Sequence, residues 1–467
     1  MRIQVGFLAL GLTLLQGPML SGASQQEPAN GFRSLENNAR MALKRGIDFY
    51  HSIAIEGGYV YHYTLDLKEK WGEGRTDDRT IEVQPPGTPA VGQSFLRAYR
   101  VVGDETFLKA AEEAGDALIR GQNDLGGWGH KIYFDGPRSK VVSFDDDQTQ
   151  SAIRFLMELD QELDNPALST AIEKALKMMM AAQMDHGGWP HQYPRQWNYH
   201  DFATFNDGGI NDCISVMQDA HRHYGRAEYM ESLQKAGWFL IMSQLPPPQP
   251  GWAQQYNQYL QPAWARAFEP PAVCSLVTIR NIQTLIDLYL YTAEERYLEP
   301  IPDALRWLES TRMQNGKWAR FVEIGTGKAL YYDRGRIRVD SVEELSIERR
   351  TGYGYEQDLT ERLAEATQRF EEVSSSSRGE VPREIRHTPE EVEIIERLSE
   401  LENELKLIIE SQDEMGRWVV RGDRYRKVMP GKPWTGEYET EDRISSSLFN
   451  RNVGLLCEFL ELLEALP

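Results

Sequence analysis

The segments GQNDLGGWGHKI (121–132) and AAQMDHGGWPHQYP (181–194) decide the fold, because both join a glutamine, a glycine turn and a tryptophan in one order. The pattern returns as SQLPPPQPGWAQQYN (243–257), STRMQNGKWARF (310–321) and IESQDEMGRWVV (409–420), with a weaker copy, IEGGYVYHY (55–63), upstream. From Tyr59 through Trp128, Trp189, Trp252 and Trp318 to Trp418 the intervals are 69, 61, 63, 66 and 100 residues. Such self-similarity is the mark of a repeat architecture.

A second motif keeps step with the first. Phe144, Phe205 and Phe268 each follow a motif tryptophan by 16 residues and head the segments FDDD, FNDG and FEPP. Between these landmarks, SAIRFLMELDQEL (151–163), ALKMMMAAQ (175–183) and SLVTIRNIQTLIDLYLYT (275–292) carry apolar residues at three- and four-residue spacing, the period of an amphipathic helix. One unit therefore reads as helix, glycine turn, polar loop and second helix. A single helix pair cannot bury its own apolar face, but stacked pairs share one. The expectation is an all-α fold, an (α/α) toroid of about six helix-hairpin repeats whose polar loops gather around a central cleft. The last interval is 34 residues longer than the one before it, and EEVSSSSRGEVPREIRHTP (371–389) reads as a polar linker within it.

The chain of 467 residues has a net charge of -20 and a pI near 5.0, which excludes a nucleic-acid partner because phosphate binding needs a basic face. Arg2, the apolar run Val5–Leu15 and the small residues Ser21-Gly22-Ala23 read as an export signal over residues 1–23. That run is too short to span a bilayer. The expectation is one exported toroid domain over 24–467, monomeric and with no membrane partner. Three widely spaced cysteines, Cys213, Cys274 and Cys457, make no disulfide framework. Buried thiols and a Cys213–Cys274 bridge both remain open.

Three acidic loops share one phase: Asp145-Asp146-Asp147, then Asn206-Asp207, then Glu269. Hard oxygens from several loops suit Ca2+, which takes about six to eight of them. Asp145, Asp146, Asn206, Asp207 and Glu269 are therefore the candidate metal ligands, against the simpler role of helix capping. Arg266, Arg320, Arg334, Arg336, Arg338, Arg349 and Arg350 form a basic cluster unusual in so acidic a chain. Guanidinium forks bind carboxylates in bidentate fashion, so calcium and arginines at one rim accept a polyanionic sugar. Trp189 and Tyr353 are candidate sugar-contacting aromatics, and His191 and His200 flank the second motif. The sequence holds no glycine-rich phosphate loop, no HExxH and no GxSxG motif.

At this point the chain resembles the polysaccharide lyases of family ten, the pectic acid lyases, from about Gly121 to Glu356. The residues that carry the resemblance are GGWPHQYP (187–194), TFNDG (204–208), ARAFEPPA (265–272), WARFVEIGTGKALYYDRG (318–335) and ERRTGYGYE (348–356). The resemblance implies a helical toroid that cleaves polygalacturonate by calcium-assisted β-elimination. It implies that Asp145 and Asp207 belong to the calcium and substrate centre and that Arg266 and Arg334 bind substrate carboxylates. Arg349 or Arg350 would then take the C5 proton. An ordinary guanidinium keeps its proton above about pH 12, so that role needs a dry, cationic setting. The chain departs from the family at Arg334-Gly335-Arg336, at Tyr355, and throughout the residues after the ERRTGY segment. Three other readings stay open: a glycoside hydrolase using Asp145 and Asp207, a terpene-type cyclase, and a non-catalytic binder of acidic polysaccharide.

Overall fold

A computed structural model describes residues 23–375, 391–426 and 434–466. The expected export segment lies outside these residues except for Ala23, where the first helix begins. Six hairpins follow in chain order. They are α1 (Ala23–Ser52) with α2 (Thr88–Val102), α3 (Glu105–Gly121) with α4 (Gln148–Asp160), and α5 (Pro166–Ala182) with α6 (Gly209–Tyr224). Next come α7 (Ala227–Ser243) with α8 (Ser275–Thr292), and α9 (Ile301–Ser310) with α11 (Thr360–Ser375), the short α10 (Ile347–Gly352) lying between that last pair. The sixth hairpin is α12 (Glu391–Glu410) with α13 (Ser446–Ala465).

The second helix of each pair forms an inner layer. Helices α2, α4, α6 and α8 pack in succession, α8 packs on α11, and α13 packs on α2. Helix α1 packs on both α12 and α13, so the last hairpin returns to the first. This is the expected (α/α) toroid. Met178 and Met179 are buried in its core. Cys213, Cys274 and Cys457 are buried free thiols, so the bridge left open above is not formed. Among the described residues, no helix is long and apolar enough to cross a membrane.

The repeated tryptophans are the rivets of the hairpins. Each indole Nε1 donates to a carbonyl of the helix before it: Trp128 to Leu118 (2.8 Å), Trp189 to Met179 (2.9 Å), Trp252 to Leu240 (2.8 Å), Trp318 to Leu308 (2.7 Å) and Trp418 to Ile408 (2.9 Å). Trp189 is fully buried, which corrects its assignment as a sugar-contacting residue: the ring has no face left for a ligand.

The repeated glutamines join one hairpin to the next. Each amide donates to a carbonyl of its own turn and to one of the following outer helix. Gln122 reaches Gly126 and Ala171, and Gln183 reaches Gly187 and Ser232. Gln412 reaches Gly416 and, across the ring closure, Ala42 of α1. The turn must approach that next helix closely. At Gly187, with φ of 98°, a Cβ would stand 2.1 Å from the Lys235 carbonyl oxygen, so both the space and the backbone demand glycine. Arg312 occupies the glutamine position in the fifth repeat and bonds only its own turn, at Gly316.

Short antiparallel pairs tie the loops of successive repeats. Val142–Ser143 pairs with Gln192–Tyr193, Ala203–Thr204 with Gln255–Tyr256, and Val273–Cys274 with Phe321–Val322. A larger sheet joins the first and last hairpins. Strands β1 (His62–Thr64), β2 (Lys70–Gly72), β3 (Gly74–Thr76), β4 (Val419–Arg426) and β5 (Tyr438–Ser445) lie in the order β4-β5-β1-β2-β3. The expected linker 371–389 is corrected at its start, where residues 371–375 complete α11; residues 376–389 lie outside the described ones. Much of the long fifth interval is instead the loop from Glu323 to Glu356, which carries most of the arginines.

Gln412→Ala should destabilise the fold by about 2 kcal/mol, because it strips two buried hydrogen bonds at the ring closure. Arg312→Ala, which removes one exposed bond, should stay within about 0.5 kcal/mol. Chemical denaturation of both variants checks the difference.

Candidate active site

The acidic loops of the second and third hairpins fold alike. Phe144 and Phe205 turn the chain with φ of -104° and -98°, and one residue intervenes before Asp146 and Asp207, both at φ of 47°. Asp146, and not Asp145, is therefore the counterpart of Asp207; Asp145 matches Asn206. Left-handed backbone is tolerated by Asp better than by most residues, and here it lifts both carboxylates off the helix ends toward each other. Asp145, Asp146 and Asp207 offer oxygens that all lie within 4.8 Å of one another. Burial, then the charge of Asp207, raises the Asp145 carboxyl. Burial, then Asp145 and Asp207, pushes Asp146 up to about 7. One buried oxygen of Asp145 has no hydrogen-bond partner. Mutual repulsion, an orphaned oxygen and an all-oxygen donor set fit a hard divalent cation such as calcium.

The third loop breaks the pattern for a covalent reason. Pro270 and Pro271 follow Glu269, and their fixed φ forbids the left-handed turn. Glu269 folds back instead. Its carboxylate accepts from Arg266 Nε (2.9 Å) and Nη2 (2.7 Å), from Gln254 Nε2 (3.0 Å) and from the Tyr353 hydroxyl (2.6 Å). Burial would raise this carboxyl, but Arg266 and Tyr353 bring it down to about 2. Glu269 is thereby corrected from metal ligand to the anchor of Arg266. Asn206 is likewise engaged: its Oδ1 accepts from Arg320 (3.2 Å) and its Nδ2 donates to Asp207 (2.6 Å).

Beside the carboxylates opens a cleft of about 540 Å³ lined by Asp207, Arg266, Phe268, Arg320, Arg334, Arg349 and Tyr353, among others. Its hub is Phe268, with the guanidinium carbons of Arg349, Arg266 and Arg334 at 4.1, 5.3 and 5.6 Å from the ring centre. Facing a π-cloud offsets part of the repulsion among the three cations. Glu348 neutralises more of it, accepting from Arg334 (2.8 Å) and Arg349 (2.9 Å). The bond from Arg334, followed by the charge of Arg349, draws the Glu348 carboxyl down to about 2. Arg349 is buried and its Nε has no partner. Arg320 lines the cleft floor and donates to Gln254 and to the Tyr353 carbonyl, so it braces the loops.

Helix α10 separates neighbours in sequence. Asp333 accepts from the Ser346 amide at 2.6 Å and holds the helix start. From there Arg349 turns into the cleft, while Arg350 is exposed and donates to the Glu343 carbonyl. Arg336 lies over Trp264, 4.6 Å from its ring. Arg350 and Arg336 are thus corrected: neither lines the cleft. Sequence reasoning left Phe268 as a landmark and Glu348 as a mere flank. His191 stands near this cluster, buried, with its pKa lowered to about 3 by that burial.

Among the described residues, six hairpins with a carboxylate group and a guanidinium group at the same end define an (α/α) toroid with a cleft between charges of opposite sign. Residues 133–317 match the family described as pectic acid lyase, so this part of the chain carries the pattern of a lyase family. Among solved structures, the family 10 polysaccharide lyase from Cellvibrio cellulosa superimposes with a TM-score of 0.50 and 18% identity, covering 61% of this chain and 97% of that one. A mutant of the same enzyme in complex with trigalacturonic acid aligns equally well. A D-mannose isomerase aligns at a TM-score of 0.51 and 12% identity over 91% of this chain and 97% of its own. At these identities the likeness is one of fold. No curated protein matches the sequence.

Asp146 titrates in the direction that couples to metal. Its raised pKa contributes stability below the unfolded value near 4 that is lost as pH rises through about 7. Calcium should reverse this. Its affinity, followed by calorimetry, should climb between about pH 5 and pH 8, and Asp146→Asn should flatten the profile.

Proposed function

We propose that the protein is an exported pectate lyase that cleaves polygalacturonate by calcium-assisted β-elimination. The observation that carries this reading is the burial of Arg349 in a cleft lined by three further guanidinium groups and by Asp207, one of the three clustered carboxylates. The lyase-family match over 133–317 supports it. So does the trigalacturonic acid bound to the Cellvibrio cellulosa lyase mutant. The export signal read in residues 1–23 accords with a polymeric substrate.

Asp145, Asp146 and Asp207 would hold calcium. Bound there, the ion supplies positive charge to a uronate carboxylate and so stabilises the negative charge that develops when the neighbouring C5 loses its proton. The chain's own residues do the rest. Arg266, fixed by Glu269, keeps Nη1 clear of that ion pair and presents it to a substrate carboxylate. Arg334 closes the other side of the Phe268 ring. Tyr353, holding Glu269 and stacked under Arg320 at 4.3 Å, keeps the floor flat for a sugar ring. Arg349, acting as the neutral guanidine, takes the C5 proton from its dry position beside Glu348. The C5–H electrons form the 4,5 double bond, the C4–O bond breaks and the departing O4 takes up a proton from solvent in turn, so no water enters the products.

An inverting hydrolase fits less well. It needs carboxyl groups about 6.5–9.5 Å apart with a water between them, whereas the oxygens of Asp145 and Asp207 lie within 4.8 Å. With polygalacturonate and calcium, ultraviolet absorbance from unsaturated ends should rise, and a chelator should abolish it. Reducing ends without that absorbance would sink the elimination. Arg349→Ala should cut kcat by at least about 10³-fold, as for loss of a proton-transfer group. Arg350→Ala should leave kcat nearly unchanged.

A further inference from the structure

We infer that the sheet joining the first and last hairpins is a second wall of the cleft, and that Arg426 on it supplies a further carboxylate-binding subsite for the acidic polysaccharide. The inference rests on the polyuronate reading above. It concerns residues outside the lyase-family match, which ends at residue 317.

The position of Arg426 is set by close approach. Strand β4 ends at this residue, and its guanidinium lies so near Gly352 that a Cβ there would stand 2.3 Å from Nη2 and 2.7 Å from Nη1. Gly352 lines the cleft beside Tyr353 and Arg349. Glycine at 352 is thus what lets the guanidinium reach the cleft edge. A second approach repeats the contact: a Cβ on Gly436 would meet Ile347 Cδ1 at 2.7 Å, so the β4–β5 hairpin rests on α10 at two points.

The guanidinium is held without being neutralised. It lies over the ring of buried Trp434 at 4.5 Å, which fixes its plane and leaves its N–H edges free. Among the described residues Arg426 forms no ion pair, whereas Arg266 and Arg334 are each committed to a carboxylate. The strand that carries it is stiff. Arg443 of β5 is buried between the rings of Trp71 (4.2 Å) on β2 and Tyr425 (3.5 Å) on β4, locking three strands together.

The wall also reaches the other end of the site. Glu73, in the turn between β2 and β3, stands 3.6 Å from His130, and its charge is felt at Asp146. The sheet therefore runs from the carboxylate group to the guanidinium group. A polyuronate carries one carboxylate per sugar, so an unneutralised, planar donor one step beyond Arg349 suits the next uronate of the chain.

The test uses the full chain with calcium. KM and kcat on polygalacturonate are read by ultraviolet absorbance, affinity for trigalacturonate and the polymer by calorimetry, and folding by Tm. Arg426→Met, which keeps an apolar side chain beside Trp434 but removes the guanidinium, should raise KM for the polymer about tenfold with kcat held within about twofold, the scale of one charge-assisted contact. Arg426→Lys should recover part of that loss. Unchanged KM and affinity in Arg426→Met would overturn the inference, as would an equal collapse of kcat and Tm in both variants. If the protein binds the polymer, releases no unsaturated product, and loses affinity in Arg426→Met, the subsite stands and the lyase reading falls. If the unaltered protein neither binds nor cleaves, both fall.

Discussion

The bond from each motif indole to a carbonyl in the last turn of the helix before it is the constraint on which the rest depends. It sets where the chain leaves the outer helix and which way it faces on leaving. Because five tryptophans make this bond, five loops start at one end of the ring with one heading. The polar residues that follow Phe144, Phe205 and Phe268 in three of these loops then arrive at a shared rim. The glutamines add the spacing between hairpins, and the last of them bonds the first helix and closes the circuit. A site assembled this way is as rigid as the ring, which is what preorganised charge requires.

The proposed polyanionic substrate would need the sign of a chain of net charge -20 reversed locally. Here the reversal is done by partners more than by numbers. Glu348 sits between Arg334 and Arg349, and Glu269 against Arg266, so they hold the arginines in place while neutralising only part of their charge. Phe268 brings three guanidinium groups to one ring, where alternatives such as Ser or Asp would either leave a cavity or cancel the field. Tyr355, where relatives are expected to carry tryptophan, donates its buried hydroxyl to the Phe268 carbonyl and so fixes the hub from behind. The field is a product of packing.

The repeat was legible because glycine turns and tryptophans recur at a fixed interval, and periodicity survives when everything around it varies. The carboxylate group was legible for the same reason: Asp146 and Asp207 share a phase. What periodicity cannot carry is a side chain's direction. Arg349 and Arg350 are adjacent, and only the helix turn at α10 decides that the first enters the cleft. Trp189 matched a sugar-stacking residue in type, but its role in the repeat had already claimed both its ring and its nitrogen. The β4–β5 hairpin was not legible at all. Its strand β5 pairs with β1, more than 300 residues earlier, and no local pattern announces such a partner.

The divergence of the third loop explains why the site has two poles. Pro270 stands where Asp146 and Asp207 take their left-handed turn in the other two loops, so the third loop brings no carboxylate to that position. Proline forbids that turn, Glu269 swings onto Arg266, and the rim divides into a carboxylate end and a guanidinium end across one repeat. The proposed elimination would use that division, drawing charge toward one side of a uronate while a proton leaves on the other. A single backbone restriction, placed in one of three otherwise equivalent loops, thus converts a symmetric ring into a site with a direction.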